Sequence, residues 1–149
     1  MKLRYGRTDS NDVWGVISSH CRTIQYRYVS VYNHQLGITG SSFSKNLKPY
    51  YVRFPEIHFL IKDFSLYIGF ERNGKIYLPI LHNVHSDDGR VCFGDMVGRN
   101  IVERTVTKFF NSEFFTSPYI SGEEHRLFEK GLRKGVLYDN NKVHPVIKK

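Results

Sequence analysis

Phe54-Pro55-Glu56-Ile57-His58-Phe59-Leu60-Ile61-Lys62 and, after a short gap, Leu66-Tyr67-Ile68-Gly69-Phe70-Glu71-Arg72-Asn73-Gly74-Lys75-Ile76-Tyr77-Leu78-Pro79 carry the pattern that decides the fold. Pro55, Ile57, Phe59 and Ile61 alternate with Glu56, His58, Leu60 and Lys62, the period-two spacing of a half-buried strand. Leu66, Ile68 and Phe70 repeat it, Asn73-Gly74 is the commonest two-residue hairpin turn, and Ile76 and Leu78 continue beyond it. A β-meander across residues 54 to 79 is expected. Pro79 cannot donate to a sheet ladder, so regular strand ends there and an irregular segment runs on through Cys92.

Upstream, the run from Cys21 to Tyr32 is rich in β-branched and aromatic residues, with Ile24, Tyr26 and Tyr28 on one register, and reads as a strand. Asn33 to Asn46 is a turn-rich connection in which Leu36 and Ile38 pack as a short strand. Downstream the period changes. Ile101, Val102, Thr105, Val106, Phe109 and Phe110 recur at helical spacing. Ser121-Gly122-Glu123-Glu124 is a capping-box signature, with Ser121 as N-cap, ahead of Leu127, Phe128 and Leu132, and this second helix ends near Gly135. Residues 136–149, with Asp139-Asn140-Asn141 and Pro145, are expected as a loose hairpin or a mobile tail. The whole is read as one α+β domain over residues 1–149, an antiparallel meander followed by an extended segment and two helices.

Length and composition agree with one folded domain: 149 residues, 40% hydrophobic and 24% charged, are enough to bury a core. No stretch approaches the ~18–20 continuous apolar residues of a membrane span. Met1 to Arg7 leads into Thr8, Asp9, Ser10 and Asn11 rather than into the apolar core of a secretory signal, so no membrane partner and a cytoplasmic location are expected. Cys21 and Cys92 are read as reduced thiols, since two cysteines do not make a disulfide framework. The excess of 22 Lys+Arg over 14 Asp+Glu gives a formal charge of +8, which favours acidic partners without choosing among them. Two features focus it. Arg126, Lys130, Arg133 and Lys134 lie on one helix, a solvated face or a contact for phosphate or acidic protein. Tyr26, Tyr28, Tyr50 and Tyr51 interleave with Arg22, Arg27, Lys48 and Arg53, either as a stacking platform for nucleic-acid bases or as a sheet face with snorkelling arginines.

Leu78-Pro79-Ile80-Leu81-His82-Asn83-Val84-His85-Ser86-Asp87-Asp88-Gly89-Arg90-Val91-Cys92-Phe93-Gly94 is polar, turn-forming and ends beside a thiol. Asn-Val, a short polar turn and Gly-Arg-Val-Cys resemble the active-site segment of ubiquitin-conjugating enzymes, in which an asparagine precedes Gly-x-Ile/Val-Cys. Together with Lys108-Phe109-Phe110-Asn111-Ser112-Glu113-Phe114-Phe115-Thr116, the segment is similar to protein B of the PRTRC system, a prokaryotic conjugating-enzyme-like family. The resemblance covers roughly residues 54 to 118. Leu81-His82-Asn83 stands where conjugating enzymes carry His-Pro-Asn, and Asn83 and Cys92 are nine positions apart, one more than the family's usual spacing.

The resemblance implies a ubiquitin-conjugating-enzyme-like fold from a plasmid or phage system. It further implies that Cys92 carries an acyl group or ubiquitin-like modifier as a thioester, received from a ThiF-like activating enzyme and passed to a protein amine. Asn83 would steady the oxyanion or hold the loop, and Asp87 and Asp88 would orient or deprotonate an incoming lysine. Such chemistry needs a thiol nucleophile and a donor for the oxyanion, and no cofactor. The residues alone allow plainer roles. Cysteine is often a packing residue, Asn83 and Asp87-Asp88-Gly89 suit turns, and Gly89 and Gly94 supply backbone freedom. Arg90 favours a thiolate at Cys92 and the two aspartates oppose it. His82, His85 and Cys92, with His20-Cys21 elsewhere, match no strong zinc spacing, so no metal is expected. Serine-hydrolase, P-loop and dinucleotide motifs are absent. The alternative is a non-catalytic binding or assembly module of the same fold, whose basic surface contacts an acidic protein or nucleic acid; the missing His-Pro-Asn triplet favours it.

Overall fold

The computed structural model of the chain describes residues 1–27, 48–81, 83–92, 102–111, 114–115 and 122–148. Its strands are β1 (Leu3–Arg7), β2 (Val13–Ile17), β3 (His20–Arg27), β4 (Lys48–Phe54), β5 (Ile57–Lys62), β6 (Ser65–Arg72), β7 (Lys75–Pro79), β8 (Phe114–Phe115) and β9 (Asp139–Val143), with helices α1 (Val102–Asn111) and α2 (Gly122–Lys134). This is an α+β architecture, largely antiparallel. A six-stranded sheet runs β1-β2-β5-β6-β7-β9, and a three-stranded sheet runs β4-β3-β8, in which β8 alone lies parallel to its neighbour.

The meander read from the sequence is β5, β6 and β7, closed by two tight turns. Asn73 and Gly74, at φ 52° and 80°, join Arg72 to Lys75 as the Asn-Gly pair suggests. Asp63 and Phe64 adopt the same left-handed conformation between Lys62 and Ser65, although Phe64 is no ordinary turn former. β1 and β2 have no counterpart in the sequence reading. Val13-Trp14-Gly15-Val16-Ile17 is too short and too interrupted for its period to show, and it is a strand because it pairs with β5 from Ile57 to Ile61.

The main core lies between the sheets and helices. Phe54 of β4 is fully buried, with its ring against Phe70 of β6 at 6.5 Å, Phe110 of α1 at 5.3 Å and His20 at 5.5 Å. Tyr26 packs on Phe128 of α2 at 5.5 Å. α1 buries Val102, Thr105, Val106, Phe109 and Phe110, the stripe its spacing predicts. α2 ends in a Schellman motif: Val136 N donates to Gly131 O at 2.8 Å and Gly135 N to Leu132 O at 3.1 Å, with Gly135 at φ 69°. Gly135 O then accepts from Arg53 N at 2.7 Å, which ties the helix end to β4.

β5 departs from the half-buried strand its alternation suggests. His58, on the expected solvent face, is buried, and so are Val16 and Ile76, all outside the main core cluster. The C-terminal segment accounts for this second layer. Residues after Gly135, expected as a loose or mobile tail, form β9 beside β7 and then bury His144 and Ile147. His144 N donates to Ile76 O at 3.0 Å, and the His144 ring lies over Gly69, on the face that Val16 and His58 share.

The expected strand reaching Tyr32, the packing of Leu36 and Ile38, and the N-cap at Ser121 lie outside the described residues. Phe54→Ala is expected to cost about 3–5 kcal/mol in chemical denaturation, because the Phe70, Phe110 and His20 rings lose a shared partner. Tyr51→Ala, at a side chain 68% exposed, should stay within about 0.5 kcal/mol. Equal effects would contradict this placement of the core.

Candidate functional site: a hairpin that presents Cys92

β7 pairs only with the far end of β6, at Phe70, Glu71 and Arg72, which leaves the edge of β6 open around Leu66 to Ile68. Residues 89–91 fill it. Val91 N donates to Leu66 O at 2.8 Å, Ile68 N donates to Gly89 O at 3.0 Å, and Arg90 stands opposite Tyr67. The same segment folds back on residues 83–85. Val84 pairs with Val91, His85 N donates to Arg90 O at 2.8 Å, and Cys92 N donates to Asn83 O at 2.8 Å. A small hairpin results, with Ser86, Asp87 and Asp88 at its tip.

Burial gives that hairpin an inside and an outside. Val84 and Val91 are buried with Ile80 and Leu81, so the alternate positions His85, Arg90 and Cys92 face outward and are exposed. There the Cys92 Sγ lies 3.1 Å from His85 Nε2, and Arg90 Nη2 lies 3.4 Å from the same nitrogen. Desolvation around the sulfur pushes the Cys92 thiol above its usual range; Arg90 pulls it down and Asp88 adds to the rise. The balance of opposing charges foreseen from the sequence is therefore decided by burial.

The turn is held from below. Asp88 Oδ1 accepts from Arg90 N at 3.0 Å and Gly89 N donates to His85 O at 2.9 Å. Gly89 has φ 79°, and a Cβ there would stand 2.0 Å from His144 Nε2 and 2.7 Å from Ile68 O, so only glycine fits. The His144 ring is sealed beneath it. Its Nδ1 accepts from Val146 N at 3.1 Å and Ile147 N at 2.9 Å, and burial lowers it to about 4 against the opposing effects of Asp88 and the Ile68 carbonyl.

The residues singled out from the sequence thus occupy different places. Cys92, Asp87, Asp88 and Gly89 share one hairpin. Asn83 stands opposite Cys92, but it is 1% exposed, and its contribution on the thiol's side is the backbone carbonyl that holds Cys92 N. Gly94 and His82 lie outside the described residues. Arg126, Lys130, Arg133 and Lys134 are exposed on α2, where Arg126 faces Glu123 at 3.9 Å and Arg133 faces Glu129 at 3.8 Å. That face mixes both signs, and such exposed pairs are worth little to stability. The aromatic platform is also divided: Tyr26 is buried, Arg22 lies over the Phe110 ring at 3.9 Å, and Tyr51 points to solvent. Among the described residues, no group of three or more His, Cys, Asp or Glu is arranged to hold a metal ion.

His85, weighed in the sequence only as a metal ligand with Cys92, and His144 are the two histidines that the fold sets against the hairpin. His85 belongs with Cys92 only once Val84 is paired with Val91, and His144 reaches Gly89 from the far end of the chain. Comparisons with family models, with curated proteins and with solved structures return no match to this chain. No helix among the described residues is long and apolar enough to cross a membrane.

Two expectations follow from the turn. Gly89→Ala should lower stability by about 2–4 kcal/mol, from a strained left-handed alanine and its clash with the His144 ring; an unchanged denaturation midpoint would contradict the packing. His144 is neutral in the fold, so the unfolded chain takes up a proton first as pH falls through the ordinary histidine value of 6.5. Its contribution is present above that pH and is lost as pH falls towards about 4, a loss of about 3 kcal/mol. His144→Asn retains an acceptor near Nδ1 without the titration. The difference in stability between wild type and this variant should shrink over that window, and a constant difference would refute the assignment.

Proposed function

We propose that this chain is a conjugating-enzyme-like acyl carrier, in which Cys92 accepts an acyl group from a partner's thioester and passes it to an amine. The observation that carries the reading is an exposed thiol on a hairpin pinned to a central sheet, with an imidazole nitrogen 3.1 Å from the sulfur. A carrier thiol must be reachable by two partners in turn and must be held still, since a small misplacement of a nucleophile costs rate heavily. The Leu66 and Ile68 hydrogen bonds hold it, and the buried Val84 and Val91 turn it outward.

In this reading the fold is of the ubiquitin-conjugating type, and the order of meander, active segment and helices supports it. The donor is a ThiF-like activating enzyme, the cargo a ubiquitin-like or other acyl-activated protein, and the setting the cytoplasm of a prokaryote bearing a plasmid or phage system. Asn83 acts as the loop-holding residue through its carbonyl. Asp87, exposed at the tip, is the carboxylate placed to meet an incoming lysine, whereas Asp88 is engaged by the Arg90 amide.

A short peptide thioester of 2-mercaptoethanesulfonate tests the reading without the activating partner. Cys92 should acquire the acyl group at neutral pH at least about tenfold faster than Cys21, the other exposed thiol, with the site located by mass spectrometry. Cys92→Ala should remove that adduct and leave the fold unchanged. Acylation of both cysteines at one rate would contradict the carrier role and favour a binding module.

A further inference from the structure

Arginine's guanidinium has N–H donors and no acceptor, and it stays charged in proteins. Arg90 Nη2 approaches His85 Nε2 at 3.4 Å, so that contact is a hydrogen bond only if Nε2 bears the lone pair and the ring proton sits on Nδ1. Cys92 Sγ meets the same Nε2 at 3.1 Å, within reach of an S–H donor. Burial meanwhile keeps this thiol protonated to higher pH than an ordinary cysteine. A protonated sulfur is a poor nucleophile, and the atom placed to receive its proton is His85 Nε2.

We infer that His85 is a catalytic general base for Cys92, held in the accepting tautomer by Arg90. The inference rests on the acyl-carrier reading and adds to it a residue and a proton path. In the loading step the Cys92 sulfur attacks the carbonyl carbon of the incoming thioester as His85 Nε2 takes the S–H proton. The new C–S bond forms, the donor's C–S bond breaks, and the proton returns from the imidazolium to the departing thiolate. In the discharge step an amine nitrogen attacks the Cys92 thioester. Nε2 receives a proton from that nitrogen and delivers it to the Cys92 sulfur as the C–S bond breaks, which restores the thiol and the neutral ring. No oxidant or metal enters either step. The charged and titratable groups around the pair are Arg90 beside Nε2 and Asp88, whose carboxylate raises the thiol and accepts the Arg90 amide.

The test is the rate at which Cys92 is acylated by the same peptide thioester between pH 5 and 10, in the full chain and in His85→Gln and Arg90→Ala. Near neutrality His85→Gln should be slower by roughly 10²-fold, the usual scale of general base catalysis. Its deficit should narrow at alkaline pH, where the thiol ionises unaided. A merely structural residue would leave a deficit constant with pH. Arg90→Ala, which frees the ring to adopt either tautomer, should show a smaller deficit with the same dependence, so the inference is tested even where His85→Gln fails to fold. If the wild-type Cys92 outpaces Cys21 while both variants match the wild type at every pH, the general base is overturned and the carrier survives. If Cys92 does not outpace Cys21, both fall together.

Discussion

Leu66 and Ile68 carry backbone groups that β7 does not reach, because β7 pairs only from Phe70 onward. A buried carbonyl or amide left without a partner costs free energy comparable to a lost hydrogen bond, so something has to occupy that stretch of edge. Val91 N and Gly89 O do so. Once they are in place the register of residues 83–92 follows, and with it the face on which every side chain stands. A slip of one residue would turn Val91 to solvent and Cys92 into the core, which the buried Val84 and Val91 resist. The position of the thiol is thus a consequence of sheet pairing. The tail takes part as well, since the His144 ring fills the notch between Gly69 and Gly89 and packs against the turn.

Elements with strong local patterns could be read from the sequence. The meander, its Asn73-Gly74 turn and the buried stripe of α1 follow from alternation, a turn dipeptide and helical spacing, which need no knowledge of the rest of the chain. The end of α2 at Gly135 is likewise written locally, as a glycine where a left-handed residue is needed. What could not be read is what depends on distant partners. β1 and β2 are strands because β5 is there to pair with them, and Asp139–Val143 is a strand because β7 has a free edge. Polar composition left residues 136–149 as a loose hairpin or mobile tail, and the pairing with β7 and the burial of His144 are not written in it.

The candidate site divides in the same way. Asp87-Asp88-Gly89 and Cys92 lie close in sequence and come together in one turn, so local reading brought them together. His85 stands seven residues before Cys92, with a turn between them, and the two meet only through the antiparallel pairing of Val84 with Val91. Asn83 shows the reverse case. A residue type suited to an oxyanion contact is enclosed, and on the thiol's side its backbone carbonyl accepts from Cys92 N. The two histidines beside the hairpin use opposite ring nitrogens. His144 accepts amide hydrogens at Nδ1 in the interior, whereas His85 turns Nε2 to Arg90 and the thiol at the surface.

The central claim is that Cys92 and His85 form one hydrogen-bonded unit with the lone pair on Nε2. Long-range proton–nitrogen NMR spectra of the histidine rings, recorded across pH on wild type and on Cys92→Ala, address it most directly, because a bare ring nitrogen and a protonated one resonate far apart. The expected result is a His85 ring with its proton on Nδ1 at neutral pH, an Nε2 signal that moves when the thiol is removed, and a His144 ring protonated on Nε2 in both proteins. A His85 ring with its proton on Nε2, or an Nε2 signal indifferent to Cys92, would contradict the pairing.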